Sequence, residues 1–205
     1  AAGDVGFIGI ANLLIGKAHF SGHLTDTYAT DSLSAPAMRN FGDFTFSNHS
    51  TKYENKYVVY AENIYVGYKY YETRYQDQVL GINDADSTKG AYASSGGWDY
   101  AQEMAYTFGY GLSYAQFTQE VQSIEWDKEA HEVVAKVRVV NEGCAEGSAY
   151  EGKSKSVVQL YAQLPYEDGM AEKSAIQMIG FAKTGELAPG EEEIVEIRAD
   201  DYLFA

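Results

Sequence analysis

From Ala115 to the end of the chain, short apolar runs alternate with turn residues. The segment VVAKVRVV alternates valine with polar residues, which is typical of a half-buried antiparallel strand. Turn signals such as Asn141-Glu142-Gly143 and Pro189-Gly190 separate the runs. The predicted strands cover residues 117–126, 132–140, 156–164, 175–184 and 192–197. Regularly spaced short strands predict an antiparallel β-sandwich over residues 116–205.

The first part of the chain has a different hydrophobic pattern. Residues 5–16, VGFIGIANLLIG, are too densely apolar for a surface helix, so they predict a mostly buried helix that ends at Gly16 in the left-handed conformation. A turn at Ser21-Gly22 and a short strand over residues 23–28 follow. Helix, turn and strand in this order form the closing unit of an α/β sheet. Such a unit needs the rest of its sheet to cover the helix.

Between these parts the pattern is less regular. Residues 29–55 predict irregular structure, residues 56–71 have strand propensity, and the small polar residues 81–97 predict a loop. Five of the fifteen residues from Glu62 to Gln76 are tyrosine. The predicted fold is mostly β: an antiparallel sandwich over 116–205, preceded over 1–115 by a small α/β fragment and an extended connector.

Composition narrows the possible partners. The net charge of −15 argues against binding to nucleic acid and to anionic membranes. No apolar run approaches the roughly 20 residues that span a bilayer. A sugar or another protein fits better. The single cysteine, Cys144, gives no indication of the compartment.

Candidate chemistry within the chain is sparse. His19 and His23 would share one face of a helix as metal ligands, but Ser21-Gly22 breaks that helix. The chain therefore predicts no metal site and no cofactor. Glycoside hydrolysis requires two facing carboxylates, and no pair stands out from the acidic surface that the net charge implies, so no catalytic residue is assigned.

Several motifs, taken together and in order, resemble one known family. ENIYVGYKYYET (62–73) and YTFGYGLSY (106–114) resemble the segment after the α/β sandwich domain of family 3 glycoside hydrolases, the β-glucosidase-like enzymes. ANLLIGKAHFSGHLTDTY (11–28) resembles the unit that closes that domain. VRVVNEG (137–143), SVVQLYAQLP (156–165) and LAPGEEE (187–193) resemble the fibronectin type III-like domain that follows.

This resemblance implies the C-terminal portion of an exo-acting β-glycosidase that removes terminal β-glucosyl or β-xylosyl residues with retention. The catalytic aspartate of the family lies in a Ser-Asp-Trp context outside this chain; Trp98-Asp99 has the reverse order, so Asp99 is not assigned. The chain would be scaffold and interface, inactive alone. Its tyrosines would pack between domains, and Arg74 would pair with an interface carboxylate.

Two alternatives remain open at this point. The chain could be a non-catalytic carbohydrate-binding β-sandwich, or a structural fibronectin-like module, although the latter has no reason to carry FGYGLSY. The insertion around 81–97 is a candidate tongue that reaches the active-site mouth. Tyr92 and Trp98 are its candidate sugar-contacting residues.

The strand count also predicts partners. A fibronectin-like sandwich has about seven strands, whereas about five are predicted here. The consequence is an uncovered inner sheet face and an unpaired sheet edge. The expected partners are the remainder of the enzyme as a second chain, or another copy of this chain, with an oligosaccharide or glycoside as the substrate of the complete enzyme.

Overall fold

The computed structural model describes residues 6–39, 41–48, 55–60, 62–81, 98–144, 146, 150, 152–167 and 169–204. The helices of this part are α1 (Gly6–Leu14), α2 (Pro36–Arg39), α3 (Tyr68–Tyr75) and α4 (Tyr100–Glu103). The strands are β1 (Tyr28–Ala29), β2 (Phe44–Thr45), β3 (Lys56–Tyr57), β4 (Met104–Tyr106), β5 (Ala115–Asp127), β6 (Glu132–Cys144), β7 (Val157–Gln163), β8 (Ile176–Lys183) and β9 (Glu192–Asp200).

The chain forms two compact units. Unit 1 comprises Ala1–Leu24, Gly109–Ala162 and Met178–Ala205. Unit 2 comprises Thr25–Phe108 and Gln163–Gln177. Residues 1–24 thus belong to the same compact unit as residues 109–162 and 178–205. The domain division at residue 115 stays a prediction.

Unit 1 is built on antiparallel sheets. Strands β5, β6 and β9 form one sheet in that order, and β7 pairs with β8. The inner positions of β6 alternate with outward ones, and the core contains Val137, Val139, Val158, Val195 and Ile197. The predicted mostly β fold of antiparallel sheets is confirmed. The period-two pattern places every second residue of β6 on the buried face.

A short buried asparagine network holds one end of this sheet. The Asn141 side chain donates to the Gly152 and Leu187 carbonyls at 2.7 and 2.8 Å and accepts from the Gly143 N–H at 2.8 Å. Gly143 has φ +86°, a left-handed conformation that glycine adopts without steric cost. The segment Asn141-Glu142-Gly143 was expected to be a turn, but it lies within β6, and its asparagine joins this strand to two other segments.

Helix α1 forms as expected but is not buried. Gly16 has φ +73°, and the Lys17 N–H reaches the Asn12 carbonyl at 2.8 Å, so the predicted left-handed helix end is confirmed. No residue of α1 is buried, and Phe7 and Leu14 are each 70% exposed. The expectation of a mostly buried helix was wrong for this chain, because the described residues supply no sheet to cover it.

The tyrosine-rich segment departs from its predicted strand. Within residues 56–71 only Lys56–Tyr57 is a strand, and α3 begins at Tyr68 after Gly67, whose φ is +57°. The Tyr70 N–H donates to the Gly67 carbonyl at 3.1 Å. Burial of Tyr71 and Arg74, three residues apart on one helix face, outweighs the strand propensity of the tyrosines.

Three further sequence predictions concern the strand over 23–28, the loop over 81–97 and membrane-spanning segments. The strand expected over 23–28 is limited to Tyr28–Ala29, which pairs with β4. The loop predicted over 81–97 lies outside the described residues apart from Gly81, and so does Tyr92. In the part of the chain that the structure describes, no helix has the length and apolar character needed to cross a membrane.

Candidate functional site

The candidate sugar-contacting residue Trp98 lies in the aromatic core of unit 2. That core contains Tyr71, Trp98 and Met104, with Tyr70, Tyr75 and Tyr100 packed against it. We call Tyr70, Tyr71, Arg74, Trp98 and Tyr100 the tyrosine–arginine cluster. Helix α3 supplies the first three of these residues, Tyr100 begins α4, and Trp98 lies two residues before α4.

Arg74 is the central cation of the cluster. It is 2% exposed, and its Nη1 donates to the Tyr70 hydroxyl at 2.8 Å. Its Cζ lies 4.9 Å from the Trp98 ring centroid, within the range of a cation–π contact. Its Nε and Nη2 have no hydrogen-bond partner among the described residues. The carboxylate expected to pair with Arg74 is therefore not found there, and the aromatic face of Trp98 takes its place.

Trp98 also packs against Tyr100. Its ring is 7% exposed and meets the Tyr100 ring edge-on at 5.7 Å between centroids. Its indole Nε1 is buried without a hydrogen-bond partner among the described residues. A buried N–H without a partner is costly. The ring therefore contacts both a cation and a phenol, while its own N–H has no partner among the described residues.

Helix α4 brings a buried glutamate side chain into unit 2. The Asp99 carboxylate caps the helix by accepting from the Ala101 N–H at 2.9 Å, as an N-cap aspartate does. Glu103, at the other end of α4, is 0% exposed, and neither carboxylate oxygen has a hydrogen-bond partner among the described residues. Asp99 thus caps α4 at its first turn.

Glu72 and Tyr100 form a hydrogen bond between the two helices. The Tyr100 hydroxyl donates to Glu72 Oε1 at 2.5 Å. Burial raises the pKa of the Tyr100 phenol well above its ordinary value, and the bond to Glu72 raises it further. Burial also raises the pKa of the Glu72 carboxyl, while the Tyr100 bond acts in the opposite direction. The phenol remains protonated at neutral pH and keeps this link intact.

Tyr71 connects α3 to the short turn before α2. Its hydroxyl lies 2.9 Å from Ser34 Oγ, and both side chains are buried. Burial raises the pKa of the Tyr71 phenol, the Ser34 hydrogen bond opposes that change, and the charge of Glu103 adds to it. These tyrosines therefore bury their rings and satisfy their hydroxyls, as packing tyrosines do.

The carboxyl groups of this region are poorly placed for glycoside chemistry. Glu72 is held by Tyr100, and Glu103 has no exposed surface. A glycosidase needs two carboxyl groups that flank an accessible scissile bond. Within the described residues, no group of three or more metal-ligating side chains is gathered either.

The sequence pointed to Trp98 as a candidate site residue, but it did not indicate that Glu103 is buried or that Arg74 packs on Trp98. Arg74 follows Tyr70 by four residues, a spacing that places both on one helix face. This signal was hidden because the segment was expected to be a strand. No sequence signal places Glu103 in the interior, since a glutamate in a short polar helix is ordinarily solvated.

Comparisons with known proteins identify the family. No family model matches the chain. A β-glucosidase of Ruminococcus albus is 33% identical over 203 residues, which is 99% of this chain and 16% of that protein. β-Glucosidase A of Butyrivibrio fibrisolvens is 33% identical over 209 residues, or 95% of this chain and 20% of that protein. The chain is part of a family 3 glycoside hydrolase.

Solved structures agree with this assignment. A β-glucosidase from Paenibacillus barengoltzii superposes with a TM-score of 0.68 at 29% identity, covering 95% of this chain and 16% of that one. β-Glucosidase 3B from Thermotoga neapolitana, solved with α-D-glucose, gives 0.63 at 28% identity, with coverage of 95% and 21%. The chain spans 16% of the length of the Ruminococcus albus protein and 20% of the Butyrivibrio fibrisolvens protein. It is a C-terminal-like part of a family 3 enzyme.

Proposed function

We propose that this chain is the scaffold and interface portion of an exo-acting β-glycosidase that removes terminal β-glucosyl or β-xylosyl residues with retention. Two carboxylates outside this chain carry the chemistry. The observation that supports the proposal is 33% identity to β-glucosidases over 99% of the chain. Two carboxyl groups of the described residues support the proposal as well, because Glu72 is hydrogen-bonded to Tyr100 and Glu103 is completely buried.

The same proposal names the partners. The exposed apolar side chains of α1, among them Phe7, Ile8 and Leu14, are the surface expected of a helix that covers a sheet belonging to another part of the enzyme. The partner is the remainder of the enzyme as a second chain, or another copy of this chain. In the complete enzyme the substrate is an oligosaccharide or glycoside.

The proposal also retains Trp98 and Tyr92 as sugar-contacting residues of the complete enzyme. Tyr92 lies outside the described residues. Trp98 is 7% exposed and packs on Arg74, so contact with a sugar would require its surroundings to open. In this chain the ring has a packing role already.

Hydrolysis of 4-nitrophenyl β-glucoside and β-xyloside tests the proposal. The purified chain is expected to give no turnover above the blank, whereas a longer polypeptide that contains this sequence together with its family 3 catalytic domains is expected to be active. Turnover by the chain alone that disappears in Glu72→Gln or Glu103→Gln would contradict the proposal, because it would place a catalytic carboxylate here.

A binding titration separates the alternative of a carbohydrate-binding module. Such a module presents a row of exposed aromatic rings on one sheet face. In the described sandwich strands β5 to β9, the aromatic residues that are more than half exposed are Trp126 on β5 and Phe181 on β8, which belong to different sheets. Cellobiose and xylose oligomers are therefore expected to leave the chain's tryptophan fluorescence unchanged; saturable binding would favour the module.

A further inference from the structure

Two tyrosines of unit 1 lie with their rings face to face. The ring centroids of Tyr114 and Tyr150 are 3.9 Å apart, and the ring planes differ by only 11°. Tyr114 is the last residue of YTFGYGLSY and directly precedes β5, whereas Tyr150 follows β6. The contact therefore brings together the two ends of the β5–β6 hairpin, and both residues belong to one continuous segment of unit 1.

The hydroxyl groups of the two rings meet as well. A hydrogen bond with Tyr114 raises the pKa of the Tyr150 phenol above its ordinary value, and burial acts in the same direction. Because the rings are nearly parallel and their hydroxyls meet, the two phenols are stacked with the same end together. The ortho carbons, which flank the carbon that bears each hydroxyl, therefore lie over one another.

Neighbouring residues of unit 1 hold this stack in place. A Cβ atom on Gly16 would lie 2.7 Å from Tyr150 Cε1, so the end of α1 accommodates the ring because residue 16 is a glycine. The His19 ring meets both phenols edge-on, with centroids 5.8 Å from Tyr150 and 6.5 Å from Tyr114. Phe20 packs on Tyr114 at 5.6 Å between centroids. The pair is thus part of a packed aromatic group.

Two other close tyrosine pairs of the described residues have a different geometry. The rings of Tyr70 and Tyr71 are 5.0 Å apart at an angle of 69°. The rings of Tyr75 and Tyr100 are 5.1 Å apart at 72°. In both pairs the rings meet edge to face, so their ortho carbons are not stacked. The parallel arrangement distinguishes the first pair from these two.

We propose that Tyr114 and Tyr150 are a site of oxidative cross-linking, where a one-electron oxidant joins the two rings as dityrosine. Each phenol gives one electron to the oxidant and one proton to water, which leaves two tyrosyl radicals. A carbon–carbon bond then forms between the facing ortho carbons. Each of these carbons loses its hydrogen as a proton, while the phenol oxygen of the same ring takes up another. The chain loses two hydrogens in total, and the oxidant gains two electrons.

The stacked geometry determines which tyrosines couple. Two reactants that are already held together react in an effectively unimolecular step, whereas radicals on separate chains must first meet by diffusion. The coupling is therefore expected within one chain and independent of protein concentration. The new bond would fasten the residue before β5 to Tyr150, which packs on the end of α1. This assignment does not depend on which glycoside the enzyme cleaves.

Photo-oxidation of the full chain tests the proposal. The oxidant is a ruthenium(III) trisbipyridyl complex generated by light, with persulfate as the final electron acceptor, and the protein is kept dilute. The monomer is expected to gain dityrosine fluorescence and to lose the mass of two hydrogens. Proteolysis should then release one cross-linked peptide pair that contains Tyr114 and Tyr150. A monomer without this peptide pair, or dityrosine confined to dimers, would overturn the proposal.

Two matched substitutions locate the cross-link. Tyr150→Phe keeps the aromatic ring but removes the phenol, so it is expected to abolish the intrachain product. Tyr202→Phe changes a tyrosine that is 79% exposed, and it is expected to leave the yield of that product unchanged. Circular dichroism shows whether both variants are folded. Equal yields from the two variants would refute the assignment, because exposure and not stacking would then control the coupling.

Discussion

Asn141 gives the sharpest test of how the sandwich of unit 1 is held together. Its side chain is completely buried and makes hydrogen bonds to Gly152, Leu187 and Gly143 at 2.7–2.8 Å. Asn141→Ala removes all three and leaves two carbonyls and one N–H without these partners. At about 1 kcal/mol for each bond, the free energy of unfolding is expected to fall by about 3 kcal/mol.

The measurement is urea unfolding followed by circular dichroism, with Asn141→Leu as a second variant. Leucine restores the volume but none of the hydrogen bonds, so it should be nearly as destabilising as alanine. The matched control is Glu142→Ala at the adjacent exposed position, where Glu142 accepts from Thr118 at the surface. This control is expected to change the free energy of unfolding by no more than about 0.5 kcal/mol.

Asn141→Leu with the stability of the unaltered chain would refute the reasoning. The loss in Asn141→Ala would then come from a cavity and not from the hydrogen-bond network. A loss of less than about 1 kcal/mol in both variants would also contradict it, because three buried partners cannot remain unpaired at so small a cost.

Three further predictions follow from the packing and the pKa directions. Gly180→Ala places a methyl group 2.6 Å from Ile197 Cγ2 and is expected to destabilise unit 1 by about 1–3 kcal/mol in urea unfolding; Gly9→Ala, with open space around it in α1, is the control and should cause no loss. Burial raises the pKa of the Glu72 carboxyl, so the folded chain binds this proton more tightly than the unfolded chain does. The resulting contribution to stability is fully present below the pKa of the carboxyl in the unfolded chain. It is lost as the pH rises through the higher pKa of the folded chain. Glu72→Gln should flatten that part of the pH profile of unfolding, and an unchanged profile would contradict the burial of the carboxyl. In the complete enzyme, Trp98→Ala is expected to weaken substrate affinity or alter chain-length preference, whereas unchanged kinetics would eliminate Trp98 as a sugar contact.

The strands of the sandwich were determined by the sequence to within a few residues. All five predicted runs are strands in the structure, because alternation of apolar and polar residues suits a two-sided sheet and little else. The helix-ending Gly16 has a positive φ as its position implies, whereas Gly143, expected in a turn, lies within β6. The family resemblance also rests on local motifs and needed no structure.

Other features were decided by tertiary structure. The tyrosines of α3 are residues whose propensity is weak and slightly favours strand, so burial of Tyr71 and Arg74 decided their conformation. The contact of Arg74 with Trp98 joins positions that are far apart in the sequence, and periodicity carries no information about such pairs. The exposure of Val121, Ile124 and Trp126 on β5 has the same cause, because these residue types are common in cores and only the packing around them determines whether they are buried.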